Sequence, residues 1–281
     1  MTRAARSTPE NIVIQKQEFL KKIKKKIKQH GIPCQLVVNM DQIGCPMVPT
    51  QTHTMAPVGS KGDKRGITAV IGSSIKGRLL PPQLIYKGTT TRCHPKFSFP
   101  DSWNLTQNMN HGSTSETMHE YLKKVLIPYS VYWREKLGLP ADQKALLILD
   151  VYGPHTEDSF NEACEVANIC RVFVPPGCTS SLQPLEAEGG VNYVIKQRLC
   201  AKFDEYSYEA FDNALRLDCT MADDYVAHLR SSTIKPQHAK WFLASINEVA
   251  VNHDLIRRGW EKSGIMDVFF EALEEFENES E

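Results

Sequence analysis

Apolar positions along this chain follow two rhythms. Phe19, Ile23 and Ile27 recur every four residues within 12–29, the spacing that places side chains on one face of a helix. Met118, Tyr121, Leu122, Val125 and Leu126 repeat that rhythm. They predict a helix starting near Ser113, where Ser113-x-x-Glu116 reads as a capping box, with Pro128 set to kink or interrupt it. A further helix, capped by Thr156, buries Phe160, Ala163, Cys164 and Ala167; others bury Val191, Val194, Ile195 and Leu199, and then Trp241, Phe242, Ile246 and Val249. The second rhythm is short and β-rich: a run ending at Asp41, then Thr54 to Val58, Ile67 to Ser73, Pro82 to Lys87, Ala145 to Asp150 and Arg171 to Val174. Strands first, then strands alternating with helices, describe a mixed α/β sheet covered by helices. Strand signals stop near 204–220.

Three of these segments carry chemistry. Asp41 closes Gln35-Leu-Val-Val-Asn-Met, Asp150 closes Ala145-Leu-Leu-Ile-Leu, and Glu186 follows Pro175-Pro-Gly-Cys-Thr-Ser-Ser-Leu-Gln-Pro-Leu. A carboxylate at the end of a strand leaves the sheet and is able to meet others. Three together would hold Mg²⁺, which prefers carboxylate oxygen and keeps positions open for water and phosphate. Phosphodiester cleavage by two metal ions needs that equipment. Each segment by itself is also an ordinary turn or helix cap. An ATPase reading of the Asp150 strand needs a Gly-x-x-x-x-Gly-Lys-Ser/Thr loop, which Gly59-Ser-Lys-Gly-Asp-Lys-Arg-Gly does not supply.

Composition narrows the class. With 41% hydrophobic residues and no apolar stretch near the ~20 residues of a membrane span, the expectation is a soluble, intracellular chain with no membrane contact. Eight cysteines show no CxxC pair, so a zinc site, even at Cys93-His94, is disfavoured. Formal charge is zero but unevenly placed. Lys21-Lys-Ile-Lys-Lys-Lys-Ile-Lys is densely basic, whereas Asp267 to Glu281 carries seven acids and no base. The lysines read first as a solvated helix face and second as phosphate contacts. The acidic end, with Phe269, Phe270, Leu273 and Phe276 interleaved, reads as an amphipathic helix or a disordered tail.

An ordered series of motifs unites these pieces: Asn39-Met-Asp-Gln, Gly62-Asp-Lys-Arg-Gly-Ile-Thr, Leu80-Pro-Pro-Gln-Leu-Ile-Tyr-Lys-Gly, Arg92-Cys-His-Pro-Lys, Asn110-His, Leu147-Ile-Leu-Asp150, Val174-Pro-Pro and Cys178-Thr-Ser-Ser-Leu-Gln-Pro-Leu. Lys235-Pro-Gln-His-Ala-Lys-Trp and Gly259-Trp-Glu-Lys-Ser-Gly-Ile continue it. Over residues 10 to 266 the series resembles the catalytic domain of pogo/Tigger-like transposases, the DDE superfamily endonucleases of the Tc1/mariner superfamily, related to centromere protein B and jerky-like proteins. The resemblance implies an RNase H-like mixed sheet flanked by helices with a helical C-terminal extension. Its divisions would be a basic helix (1–30), the endonuclease domain (31–205) and a helical region with an acidic tail (206–281). It further implies Asp41, Asp150 and Glu186 as catalytic metal ligands for two Mg²⁺ or Mn²⁺ ions, DNA rather than a small molecule as substrate, a homodimer left open, and a nuclear location. Lys61, Lys64 and Arg65, in a glycine-rich loop, are candidate DNA contacts or a plain surface hairpin.

Other positions are weighed against that likeness. His155 is first a cap or surface histidine and second a residue near the scissile phosphate. Asn192 lies where the family often places a polar residue facing the metals. The chain departs from the pattern at the third acid, Glu rather than Asp, and in Ala187-Glu-Gly-Gly, which adds residues and makes Glu188 an alternative ligand. Gly112 stands where Trp is usual. These departures, and the short stretch ahead of Asp41, which leaves no room for the family's helix-turn-helix modules, raise a second reading: a catalytically impaired nuclear module that binds nucleic acid or partner proteins.

Overall fold

The computed structural model describes residues 11–49, 65–217 and 229–280; the expected strand at 54–58, Lys61 and Lys64 lie outside them. Seven strands form one mixed sheet among the described residues. They are β1 (Val37–Pro46), β2 (Gly66–Ser74), β3 (Arg78–Leu79), β4 (Gln83–Lys87), β5 (Asn104–Asn108), β6 (Ala145–Asp150) and β7 (Ile169–Val174). The order is β5-β4-β2-β1-β6-β7, with β3 beside β2. β1, β2 and β4 run antiparallel to their neighbours among the three, and β6 and β7 extend the sheet parallel to β1. Three antiparallel strands continued by two parallel ones are the expected RNase H-like core, to which β5 adds a parallel edge.

Ten helices among the described residues cover it: α1 (Ile12–His30), α2 (Ser115–Tyr121), α3 (Ile127–Lys136), α4 (Gly153–Thr156), α5 (Asp158–Val166), α6 (Thr179–Leu182), α7 (Val191–Leu217), α8 (Ser231–Ala250), α9 (His253–Lys262) and α10 (Ile265–Ser280). The apolar stripes read from spacing are the buried ones. Phe19, Ile23 and Ile27 join one core with Met118, Tyr121, Leu122, Val125 and Leu126. Val191, Ile195 and Leu199 join another with Phe242, Ile246 and Val249. The first core takes in consecutive residues of β6, Leu146 to Leu149, and so draws on both faces of the sheet there; α7 runs unbroken through 205.

Several local expectations are corrected. β1 does not stop at Asp41 but continues to Pro46, because its pairing with β2 persists to Gly66. The helix after residue 113 is capped by Thr114 rather than Ser113: Thr117 N donates to Thr114 Oγ1 at 3.3 Å and Thr114 N to Thr117 Oγ1 at 2.9 Å, so a threonine replaces Glu116 in the reciprocal box. Thr156 does not cap α5; it closes α4, its hydroxyl donating to Gly153 O at 2.9 Å, and Glu157 is the N-cap without a side-chain bond. Pro128 falls in the first turn of α3, after a π-helical turn, Leu122–Leu126, where Ile127 N reaches Leu122 O. The wider turn accommodates a residue with no N–H to give.

The acidic segment is ordered as α10, packed along α1. Lys24 pairs with Glu271 and Glu275, both at 2.8 Å, and Lys28 with Glu275 and Glu279 at 3.2 and 2.6 Å. Exposed pairs of this kind are screened by solvent and salt. Burial of Phe19, Ile23 and Ile27, about 1.5–3 kcal/mol each, therefore dominates the attachment of α1 to the fold.

His238 on α8 is 1% exposed, and neither ring nitrogen has a partner among the described residues. Burial pushes its imidazole down to about 4. An unfolded histidine titrates near 6.5, so between those values the unfolded chain binds a proton that the folded chain refuses. Its stabilising effect is complete above about pH 6.5 and declines as pH falls toward about 4, by up to roughly 3 kcal/mol. Urea unfolding at about pH 7 and about pH 5 should show a smaller acid-induced loss for His238→Phe than for the parent chain; equal losses would assign the effect to other groups.

Candidate active site

The site begins with a mismatch in strand pairing. β6 is bonded to β1 only from Val37↔Leu146 to Asn39↔Ile148. Continued by two residues, that register sets Asp41 level with Asp150, the last residue of β6. β1 is held on its other side by β2, with Asp41 opposite Ile71. Crevices at the carboxyl ends of parallel strands are where open α/β sheets bind ligands, and here the two aspartates stand on the two adjacent strands. Asp41 is 6% exposed, whereas the Asp150 side chain is 34% exposed.

Glu186 is delivered by the loop after α6, which is bonded to β1 at several points. Gln183 Nε2 donates to Met40 O at 3.2 Å, and Leu185 N donates to Asn39 Oδ1 at 3.1 Å. Asn39, fully buried, also donates from Nδ2 to Ile148 O at 2.9 Å. One side chain thus joins β1, β6 and the third-acid loop. On the outer side α9 presses on this loop: a Cβ at Gly259 would lie 2.1 Å from Pro184 O, so only glycine permits the approach.

Asn192, buried in the first turn of α7, completes the centre. Its Nδ2 donates to Asp41 Oδ2 at 2.6 Å and to Glu186 Oε1 at 3.0 Å, while its Oδ1 has no partner among the described residues. One amide therefore holds two carboxylates together. Burial, with the Glu186 carboxylate next and Asp150 adding to it, holds the Asp41 carboxyl well above the usual carboxylate range, against the lowering effect of the Gln42 backbone N–H.

His155 is neither a cap nor a surface residue, contrary to its first sequence reading; it is fully buried. Nδ1 lies 3.1 Å from Asp150 Oδ1 and 3.2 Å from Asp150 O, and Nε2 lies 3.1 Å from Gln42 Nε2. Both atoms facing Nδ1 are acceptors and the amide nitrogen facing Nε2 is a donor. The network is satisfied when the neutral ring carries its proton on Nδ1. The histidine fixes the direction of the Asp150 carboxylate. If Asp150 is a metal ligand, His155→Ala should weaken apparent Mn²⁺ affinity by about 10–100-fold, the usual effect of losing a ligand's supporting partner. Calorimetric titration with Mn²⁺ reads it, and unchanged affinity would remove His155 from the site.

The remaining candidates separate. Glu188 is exposed, and Glu186 and Glu188 share an open hollow of about 540 Å³ with Tyr193 and Lys196. Only Glu186 is bonded to the amide that Asp41 uses. The added glycines precede α7: Gly189 takes φ +69°, and a Cβ on Gly190 would meet Ala187 O at 2.6 Å. Arg65 immediately precedes β2, beside the Gly66↔Pro46 pair, and donates to Leu229 O and to Ser231 Oγ. Asn39 and Gln183 carry structural duties that sequence reading did not assign. Their signal was a polar side chain inside an apolar run, since a buried amide requires partners.

The donor set suits a hard cation: oxygen throughout, and a carboxylate pair whose repulsion a cation would relieve. In the arrangement described, no three His, Cys, Asp or Glu side chains among the described residues group closely enough to hold one ion. Asp41 and Glu186 meet on Asn192, and Asp150 turns to His155.

Comparison with known proteins adds three findings. A family model described as DDE superfamily endonuclease matches residues 64–260. The human protein "Pogo transposable element with KRAB domain" is 32% identical over 124 residues, 44% of this chain and 19% of that protein, and the human Jerky protein homolog is 23% identical over 163 residues, 56% of this chain and 28% of that protein. The chain thus spans less than a third of these relatives. A solved structure of the Mos1 transposase catalytic domain with Raltegravir and Mn superposes with a TM-score of 0.43 at 10% identity, over 88% of this chain and 96% of that one.

Proposed function

The chain belongs to the DDE superfamily endonuclease family, and from that premise we propose that it cuts and joins phosphodiester bonds of DNA with the help of two Mg²⁺ or Mn²⁺ ions, in the nucleus. The observation that carries this reading is the Asn192 amide holding Asp41 and Glu186 together beside the Asp150 strand. Asp41, Asp150 and Glu186 would hold the metal, which supplies charge neutralisation at the phosphate and activation of the attacking oxygen. Asn192 sets the spacing of two of the acids, His155 aims the third, and Asn39 with Gln183 keeps the Glu186 loop against β1. Asp41, buried among the other acids, gains the most from a cation.

A second reading has its own support. The Asn192 N–H donor already sits between Asp41 and Glu186, a neutral substitute for a cation, and Asp150 is engaged by His155. A scaffold so satisfied serves as a nucleic-acid-binding or interaction module without catalysis. Calorimetric titration of Mg²⁺ and Mn²⁺ into the chain and into Asp150→Ala separates the two. Binding lost with Asp150 is expected for the enzyme; no binding by the parent chain would favour the module.

A further inference from the structure

Beside the Pro46 end of β1, five residues beyond Asp41, a cavity of about 290 Å³ opens between the sheet and the start of α8. Arg65, Tyr86, Lys87, His111, Ser231 and Lys235 line it. Three of these carry a lasting positive charge, and no acid lies among the described lining residues. Tyr86, 1% exposed, stands in its wall, and its buried hydroxyl has no partner among the described residues. Lys235 donates from Nζ to Cys93 O at 2.8 Å, which fixes the ammonium in the wall and leaves it two further donors. Arg65 ties β2 to the start of α8 through Leu229 O and Ser231 Oγ. The first turn of α8 contains no acid and has no side-chain cap, so its positive end adds to the field. His111 is held at φ 48°, a left-handed conformation uncommon outside glycine.

Lysine donors with capacity to spare, around a space of this size, match a phosphate ester. The spacing says which one. The cavity lies at the Gly66↔Pro46 pair and the carboxylates at Asp41↔Ile71, five residues apart along the strand, or about 17 Å at ~3.4 Å per residue. Neighbouring phosphates of one DNA strand wind around the duplex axis about 7 Å apart, so this distance spans roughly two to three of them. The geometry points to this cavity as a phosphate-ester subsite that takes the DNA backbone about two to three nucleotides from the phosphate held at the carboxylates. The source of the phosphate rests on the DNA-cutting reading above; the anion chemistry does not.

The test uses the full chain with Lys87→Gln, Lys235→Gln and both together. A short DNA duplex, a deoxynucleoside monophosphate and inorganic phosphate are the probes. Duplex affinity should fall about 10-fold in the double variant, and the plot of log affinity against log salt should become shallower by about 1, the loss of one phosphate contact. Phosphate and the nucleotide should raise the melting temperature of the parent chain and not of the double variant. Lys87 is exposed and its substitution leaves the fold intact, so Lys87→Gln alone still reads the slope if Lys235→Gln fails to fold. A parent chain that binds duplex with a slope the variants do not change overturns the subsite and spares the DNA reading. Phosphate protection that depends on the lysines, in a chain that binds no duplex, supports the subsite and overturns the DNA reading instead.

Discussion

Glu186→Gln should lower metal-dependent nicking of DNA by at least roughly 100-fold, more than the loss of a supporting partner typically costs, while Glu188→Gln should leave it within about 2-fold, the scale of a surface change. The reason is positional. Glu186 Oε1 accepts from the Asn192 amide that also holds Asp41, whereas Glu188 is exposed, two residues farther on. Glutamine retains an acceptor for Asn192, so folding is preserved and the missing charge alone is read. The longer Glu side chain is no obstacle, because carboxylate ligation accepts mono- and bidentate geometries. Nicking assays with Mg²⁺ and Mn²⁺ decide the matter: loss in Glu188→Gln with retention in Glu186→Gln would move the ligand two residues along. A parent chain that nicks under neither metal would make the non-catalytic reading the better one.

Gly259→Ala is expected to affect both stability and site geometry. The new Cβ would lie 2.1 Å from Pro184 O and 3.0 Å from Pro184 C, and both are backbone atoms that cannot swing aside. Either α9 retreats or the Pro184–Glu186 segment moves off β1, breaking the Leu185 N bond to Asn39 Oδ1. Overpacking of this kind costs about 1–3 kcal/mol or more, which for a chain of this size lowers the melting temperature by roughly 2–6 °C or more. A shift of ~1 Å at a ligand can reduce turnover ~100-fold, so nicking should fall further than stability explains. Gly112→Ala, where a Cβ meets nothing within 4 Å, is the control and should melt like the parent. An unperturbed Gly259→Ala would show that α9 does not position the third acid.

The sequence made some of this legible and hid the rest for physical reasons. Helices whose burial follows one stripe, such as Phe19-Ile23-Ile27, were readable because spacing alone selects the buried face. β5, Asn104-Leu-Thr-Gln-Asn, was not, because an edge strand needs no continuous apolar run. Asp41 looked like the end of a strand because Gln42 and Gly44 interrupt the apolar series after it, although pairing with β2 carries the strand on to Pro46. The three acids could be listed from motifs. Their support could not: Asn39 is bonded to Leu185, 146 residues on, and His155, though only five residues from Asp150, is buried by way of Gln42, 113 residues back, and no local pattern encodes such distances.

The clasp between α1 and α10 has a consequence for the order in which the chain acquires its structure. Lys24 and Glu271 are 247 positions apart, so α1 completes its packing against α10 only after the stretch between them has been synthesised. Until then Phe19, Ile23 and Ile27 lack the cover of Phe269 and Ala272, which share their core. Contacts of such long sequence separation slow folding, and apolar surface exposed meanwhile invites aggregation. Lys24 and Lys28 flank that stripe, and their charges too are met only once Glu271, Glu275 and Glu279 are in place.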